Sequence, residues 1–288
     1  MKSGFVNIFG KPNAGKSTLM NALVGEKMAI VSSKVQTTRH RIKAFLTKPN
    51  EYQIIFSDTP GIIEPKYKLH ERMMQNVKGA LEDADVALLI VDASKDVNEN
   101  VELFKKLTLK VPSILILNKA DKIKSEKVEE LKKTFSDHSY KKIIAVSALK
   151  QQNLDELLFA IIELLPEAKA FYNDDELTDL PTRFFVSEMI REKIYELFGE
   201  EIPYQTAVII NEFKEKETLT KIQADIIVQR ESQKAILLGG NGKMIKQLGT
   251  LSRIEIEKFL QRKIFLQLFV KVKPKWRDNE LQLREYGY

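Results

Sequence analysis

Residues 10–17 read GKPNAGKS: two glycines bracket four residues, and lysine and serine follow. The apolar run Phe5-Val6-Asn7-Ile8 leads in, and a helix-like stretch, Leu19 to Val24, leads out. A strand, this loop and a helix in succession make a cradle in which backbone N–H groups and a helix N-terminus converge on one anion. Lys16 is spaced to reach the β- and γ-phosphates of a nucleoside triphosphate, and the Ser17 hydroxyl to bind Mg²⁺. An ordinary glycine-rich turn is the alternative, and the flanking strand and helix favour the phosphate reading. The motif specifies neither the base nor the purpose.

Apolar strand candidates recur at 4–9, 41–46, 52–57, 85–91, 112–117 and 142–146, with helices expected at 16–24, 70–82, 98–109, 125–135 and 153–164. Such alternation predicts a mostly parallel sheet covered on both faces. VALLIVDA and SILILN are continuous apolar runs, as strands buried on both sides require. The pattern ends near Leu165-Pro166. Residues 166–182 are acidic, carry two prolines and lack a period, and so read as a linker. Beyond them, helical spacing puts Phe185, Ile190, Ile194 and Leu197 on one face. A hairpin around Lys214–Thr218 follows, then two helices flanking GGNG, a last strand in KIFLQLFVKV and a polar tail. The expected organisation is an α/β domain over 1–165, the linker, a second α+β domain over 183–275 and the tail, 276–288.

NKAD at 118–121 follows the buried run SILILN. Asp121 can accept from a ring N–H and an exocyclic amine together, a pair that guanine presents and adenine does not. A carboxylate left facing adenine without donors is costly, which makes the preference physical. Asn118 can meet the other edge of the base, and the stem of Lys119 can lie along the ring. In DTPG at 58–61, Asp58 stands where a carboxylate would back Mg²⁺, and the Gly61 N–H can approach the γ-phosphate. Ser147 and Ala148, in VSA, can offer N–H groups to the guanine oxygen. KVQTTRHR at 34–41 carries Thr37 and Thr38; one hydroxyl completes the Mg²⁺ shell when the γ-phosphate is present, and Thr38 is preferred. Simple turns and an idle mobile loop are the alternatives at these positions.

Five elements in one order, each at a strand end, resemble the motif set of the Ras-like GTPase superfamily over residues 1–165. The resemblance implies a Ras-like P-loop GTPase domain with GTP or GDP and Mg²⁺ as ligands. It implies GTP contacts from Gly10, Lys11, Pro12, Asn13, Ala14, Gly15, Lys16, Ser17 and Thr18; from Asp58, Thr59, Pro60, Gly61 and Ile62; and from Asn118, Lys119, Asp121, Ser147 and Ala148. Ser17, Thr38 and Asp58 are the implied metal set, and Lys16, Thr38, Gly61 and Asn13 the candidate catalytic groups. Ras-type enzymes place a water-orienting glutamine just after the DxxG glycine. Here Ile62 and Ile63 follow it, and neither can orient water. Slow intrinsic hydrolysis is expected, on the order of 10⁻⁴–10⁻² s⁻¹. In related GTPases an asparagine within the loop marks enzymes that use K⁺, so Asn13 is a candidate K⁺ ligand; plain loop polarity is the other reading. Segments 30–41 and 58–75 would be ordered by GTP and released after hydrolysis.

With 288 residues, 43% hydrophobic and 30% charged, the chain can build two soluble cores. It has no cysteine, which excludes disulfides and thiolate metal sites. His40, His70 and His138 are scattered and read as solvated surface residues in preference to a zinc site. No apolar run is long enough for a membrane span, and no signal peptide is expected. The net charge of +6 is localised: residues 243–288 hold 11 Lys and Arg against 5 Asp and Glu, and the rest of the chain balances. This asymmetry points to an anionic partner for the C-terminal part, with a solvated basic tail that has no partner as the alternative. Gly239-Gly240-Asn241-Gly242 fits G-x-x-G, with Lys243 next and Ile245 opening an apolar helix. Two glycines between helices let a backbone clamp unpaired nucleic acid, as KH domains do. Lys243 and Lys246 add cations near the phosphates. The order α-β-β-α-α-β is that of a type II KH domain; a flexible helix–helix turn is the alternative.

A Ras-like GTPase domain joined to a C-terminal α+β type II KH domain resembles the Era family of bacterial GTPases over nearly the whole chain. GKPNAGKSTLMNAL, KVQTTRHRI, DTPGI, NKAD and GGNGKMIKQLG carry the resemblance. Asn241 departs from the lysine or glycine expected at its position, which bears on the strength of the clamp. The resemblance implies binding to the 3′ region of small-subunit (16S) ribosomal RNA and a role in maturing the 30S subunit. It also implies a cytoplasmic protein, partly peripheral on the inner face of the cell membrane. A monomer with no obligate protein partner is expected. The rival readings are a P-loop enzyme modifying a small molecule or RNA, a scaffold that nucleotide merely stabilises, and a basic tail that binds anionic lipid.

Overall fold

The computed structural model describes residues 1–288 apart from 33, 96, 137, 138 and 200, and apart from the Val101 side chain. His138 thus lies outside the described residues. Two compact units form, one from residues 1–65 and 72–179, the other from residues 66–71 and 180–288.

The first unit is a six-stranded sheet of β1 (Lys2–Phe9), β2 (Ile42–Lys48), β3 (Tyr52–Asp58), β4 (Val86–Asp92), β5 (Ser113–Asn118) and β6 (Lys142–Ala145). Their order is β2-β3-β1-β4-β5-β6; β2 runs antiparallel to β3 and the other pairs are parallel. Helices α1 (Lys16–Val24), α2 (Lys68–Glu82, whose residues 68–71 fall in the second unit), α3 (Asn98–Lys105) and α4 (Ser125–Phe135) lie in the connections between strands, and α5 (Leu154–Leu164) follows β6. Every residue of β4 and β5 is buried, which explains their unbroken apolar sequences. β1 lies between β3 and β4, where the connections diverge to either side, so the loop that leaves β1 opens at the carboxyl edge used by ligands in such sheets. Helix α3 stops at Lys105, short of the expected 109. The Lys106 N–H bonds back to Leu103 and Phe104, and Thr108 at φ 50 cannot continue a right-handed helix.

The segment expected as a linker is bound to this unit as far as Asp179. Ser3 N–H donates to Pro166 O at 3.1 Å, and the N–H groups of Phe171 and Tyr172 donate to Gln53 Oε1 at 2.6 and 3.0 Å. Phe171 meets Phe5 edge-on, Tyr172 stacks on Phe45 at 3.8 Å, and Phe45 N–H donates to Leu177 O at 2.8 Å. Residues docked one by one leave no period in a sequence.

The second unit contains α6 (Thr182–Leu197), β7 (Ala207–Glu215), β8 (Thr220–Val228), α7 (Glu231–Leu238), α8 (Lys243–Leu260), β9 (Ile264–Val272) and α9 (Glu280–Glu285). Its sheet runs β7-β8-β9, antiparallel then parallel, with a bulge at Ile210–Glu212. Val186, Ile190, Ile222, Ile226, Leu237 and Leu248 lie in its core. The expected polar tail is folded. Trp276 and Leu283 are fully buried, the Trp276 indole N–H donates to Gln205 O at 3.0 Å, and Asn279 caps α9. Trp276 and Leu283 together anchor it, with the rings of Tyr286 and Tyr288 packed near the indole. His70 is also buried, with its ring 3.7 Å from that of Tyr67, and is not the surface residue expected.

Candidate functional site

The loop after β1 is held by contacts only glycine permits. A Cβ on Gly10 would sit 2.5 Å from Ile90 O, and one on Gly15, at φ 101, would sit 2.2 Å from Asn118 Nδ2. Lys16 is buried at the start of α1, and its ammonium donates to Gly10 O at 3.2 Å and Lys11 O at 3.0 Å. Burial pushes its pKa down to about 8, against the pull of the Asp58 carboxylate. An ammonium held this way is desolvated and ready for phosphate oxygens.

Three oxygens converge beside it. Ser17 Oγ donates to Asp58 Oδ2 at 2.6 Å, Thr38 Oγ1 donates to the same oxygen at 3.0 Å, and the two hydroxyls lie 2.9 Å apart. Thr37 instead donates to Lys34 O at 2.7 Å. Burial pushes Asp58 upward, against Lys16 and the two hydroxyls, and its Oδ1 is buried without a hydrogen-bond partner. An all-oxygen set with an unsatisfied carboxylate oxygen suits a hard cation such as Mg²⁺. Gly61 presses on the phosphate loop: a Cβ there would lie 2.7 Å from both Pro12 N and Pro12 Cγ. Ile62 N–H donates to Gly10 O at 3.1 Å, while the Ile62 side chain packs against the hydrophobic core. Thr59 Oγ1 donates to Ile8 O at 2.6 Å and pins the start of this turn.

NKAD braces the same loop. Asn118 Nδ2 donates to Ala14 O at 2.8 Å, and Asn118 Oδ1 accepts from Ala148 N–H at 3.1 Å. Lys119, at φ 61, donates to Asn13 O at 2.8 Å and to Asp92 Oδ2 at 2.7 Å. Asp121 Oδ1 accepts from Ser147 Oγ at 2.5 Å, which sets the direction of the carboxylate. A cavity of about 50 Å³ lies among Pro12, Lys16, Ser17, Thr38 and Gly61. A second of about 430 Å³ is lined by Asp92, Asn118, Lys119, Asp121 and Leu149. Asn13, Gly15, Thr18, Val31 and Ser32 border both, so the two adjoin. Asp92 was not singled out in the sequence, although VDAS ends a strand just as the other motifs do. Burial alone would push Asp92 up; hydrogen bonds from Lys119 and Ser94 outweigh it and hold the carboxyl below its usual range.

In the second unit, the turn between α7 and α8 needs its glycines. Gly239 lies at φ 69 with a would-be Cβ 2.6 Å from Met244 Cγ, and Gly242 at φ 73. Asn241 takes φ 53, which asparagine tolerates well, and Gly240 has open space around it. Lys243 and Lys246 are exposed on the first turn of α8, whereas Ile245 is half-buried and packs on the core. Among the described residues, no cluster of three or more His, Cys, Asp or Glu could hold a metal, so the oxygens at Asp58 come from one carboxylate and two hydroxyls; no helix is long and apolar enough to cross a membrane.

A family model described as 50S ribosome-binding GTPase matches residues 5–119, and one described as KH domain matches residues 201–277. GTPase Era of Geobacter sp. (strain M21) is 43% identical over 291 residues, which covers 100% of this chain and 98% of the relative. A crystal structure of Era in complex with MgGDPNP and nucleotides 1506–1542 of 16S ribosomal RNA matches at TM-score 0.96 and 41% identity, covering 100% of this chain and 99% of that one. A variant of Aquifex aeolicus Era bound to GDP and AlF4⁻ matches at TM-score 0.95, again at 41% identity and with 100% and 99% coverage.

Proposed function

The chain belongs to the Era family of GTPases, and from that premise we propose that it is a GTP-dependent switch on the 3′ region of 16S ribosomal RNA, acting in maturation of the 30S subunit. It is a Ras-like GTPase domain followed by a type II KH domain, and it hydrolyses GTP to GDP and phosphate. Its ligands are guanine nucleotide and Mg²⁺.

In this reading Lys16 holds the β- and γ-phosphates, and Ser17, Thr38 and Asp58 hold the metal. Mg²⁺ bound there offsets the charge of the phosphate oxygens. Thr38 belongs to a loop, so its hydroxyl joins that set only while the loop is folded inward; this is how the γ-phosphate is sensed. Asn118 and the Ser147-aimed carboxylate of Asp121 read guanine. With Ile62 turned into the core, water is left poorly oriented and turnover is slow. Asn13, whose backbone is left-handed at φ 63 on the wall between the two cavities, is the K⁺ ligand of this proposal. Gly239, Gly240, Asn241, Gly242, Lys243 and Lys246 form the RNA clamp, and Ile245 fixes its geometry from beneath. The protein acts as a cytoplasmic monomer, and its basic C-terminal surface gives peripheral contact with the cell membrane.

One observation carries the switch. Residues 66–71, five positions beyond the glycine of DTPG, fold with the second unit. There the Arg277 guanidinium lies 4.1 Å from the Tyr67 ring centroid, and Lys68 N–H donates to Asp278 Oδ1 at 3.4 Å. The γ-phosphate-facing turn and the RNA-binding unit therefore share a short stretch of chain. RNA affinity measured with a non-hydrolysable GTP analogue and with GDP tests the coupling. A difference of about 5- to 150-fold is expected, as for other coupled sites. Equal affinities in the two forms would end the switch reading.

A further inference from the structure

β9 is an edge strand with two unlike faces. On one face Leu266, Leu268 and Val270 pack into the core with residues of α7 and α8, the helices that flank Gly239–Gly242. Strand alternation turns Phe265, Gln267, Phe269 and Lys271 the other way. Phe265 and Phe269 are 48% and 46% exposed. Between them the amide of Gln267 is held in place, its Oε1 accepting from Gln223 Nε2 at 2.9 Å. Pairing with β8 sets Lys221 beside Phe265, and Lys271 pairs with Asp225 at 2.6 Å. The strand is also bracketed by cations. Residues 258–275 hold six, Lys258, Arg262, Lys263, Lys271, Lys273 and Lys275, and neither Asp nor Glu. Lys221, Lys263 and Lys271 each face one carboxylate, Glu212, Glu257 and Asp225, and Lys258, Arg262, Lys273 and Lys275 keep the strip positive.

We propose that this face of β9 is a second surface for unpaired RNA, with one base stacked on Phe265 and another on Phe269. The proposal rests on the RNA-binding reading above and extends it from the G-x-x-G turn to the opposite side of the sheet. The two rings stand about 13 Å apart along the strand, four residues at 3.3 Å each. Adjacent stacked bases rise only 3.4 Å. The RNA must therefore lie extended, each ring taking its own base, as on the sheets of other single-strand binders. Gln267 offers amide hydrogen bonds to base edges between the rings, and the flanking lysines meet phosphates. A bilayer would favour contiguous apolar surface, whereas here an amide and an ion pair interrupt the rings. The strand also continues the expected interface, because its core-facing side chains support the helices of the G-x-x-G turn.

The test uses the full chain with a GTP analogue and oligonucleotides of increasing length from the 3′ region of 16S RNA. Phe265→Ala and Phe269→Ala should each weaken the longer RNAs by roughly tenfold or more and leave the shortest bound fragment unaffected. Phe269→Tyr should retain binding, and unchanged melting temperatures would exclude misfolding. Gly239→Asp should instead weaken RNAs of every length. Equal binding of the longest RNA by wild type and both alanine variants would overturn the proposal. So would loss of affinity only for vesicles containing anionic lipid, or only for a protein of the small subunit. Wild-type protein that binds no RNA at all would instead sink the underlying RNA reading.

Discussion

Replacing Asn118 by alanine tests whether the nucleotide site is one braced body or a set of separate loops. Asn118 is 2% exposed and joins the phosphate loop, through Ala14 O at 2.8 Å, to the loop at Ala148 N–H, at 3.1 Å. Asn118→Ala strips both main-chain groups of these partners. A buried polar group left unpaired costs about 1–3 kcal/mol. Two such groups set an upper range near 6 kcal/mol, and water entering from the adjoining cavity relieves part of it. The expected loss is about 2–3 kcal/mol, or roughly 30- to 140-fold in affinity. GTP and GDP should suffer alike, because Asn118 bonds to Ala14 O and Ala148 N–H and to no group assigned to the terminal phosphate alone, so both nucleotides meet the same loosened loops. Titration with fluorescent GDP and a fluorescent non-hydrolysable GTP analogue measures both. A variant that stays within threefold of wild type, or that loses only the triphosphate, would refute the bracing argument.

Lys16 makes nucleotide binding depend on pH. Its pKa in the nucleotide-free protein is about 8 against a usual 10.5, so above pH 8 the free protein holds it neutral, and binding to phosphate must return the proton. Affinity should fall by about fivefold from pH 8 to 9 and by nearly tenfold per unit beyond, with close to one proton taken up at pH 9 in calorimetry with two buffers; a flat profile from pH 7 to 9.5 would contradict this. The sign for folding is opposite: a depressed lysine pKa adds stability to the nucleotide-free fold as pH rises from 8 towards 10.5. Trp276→Ala removes a fully buried indole and its hydrogen bond to Gln205, and should cost the second unit about 3–5 kcal/mol. Unchanged denaturant unfolding of that variant would show that the C-terminal segment does not help to hold the unit together.

Strands buried on both faces were plain in the sequence because VALLIV and ILIL have no polar position to obscure them. The site motifs were legible for a related reason. Each sits where a strand ends and uses residue types few other constraints would select, such as a glycine that touches Asn118 or a carboxylate beside two hydroxyls. What stayed hidden was docked irregularly. Phe171 and Tyr172 lie in an acidic, aperiodic stretch, and only their rings betray that it binds β1 and β2. Trp276 gave a similar single-residue signal within a charged tail. Asp92 was missed because its role is to hold Lys119, and a partner of that kind has no fixed spacing. The buried ring of His70 lies against Tyr67, three positions earlier, a contact that the scatter of the histidines along the chain does not announce.

The strap over β2 limits where the preceding loop can flex. Phe45 N–H and Lys43 O are both bonded to it, through Leu177 O at 2.8 Å and Thr178 Oγ1 at 2.7 Å, and Lys43 Nζ reaches Asp179 at 3.0 Å. The downstream anchor of the threonine-bearing loop is thereby fastened, and its hinge must fall ahead of Ile42. The same three contacts fasten Leu177, Thr178 and Asp179, the last residues of the first unit, to β2.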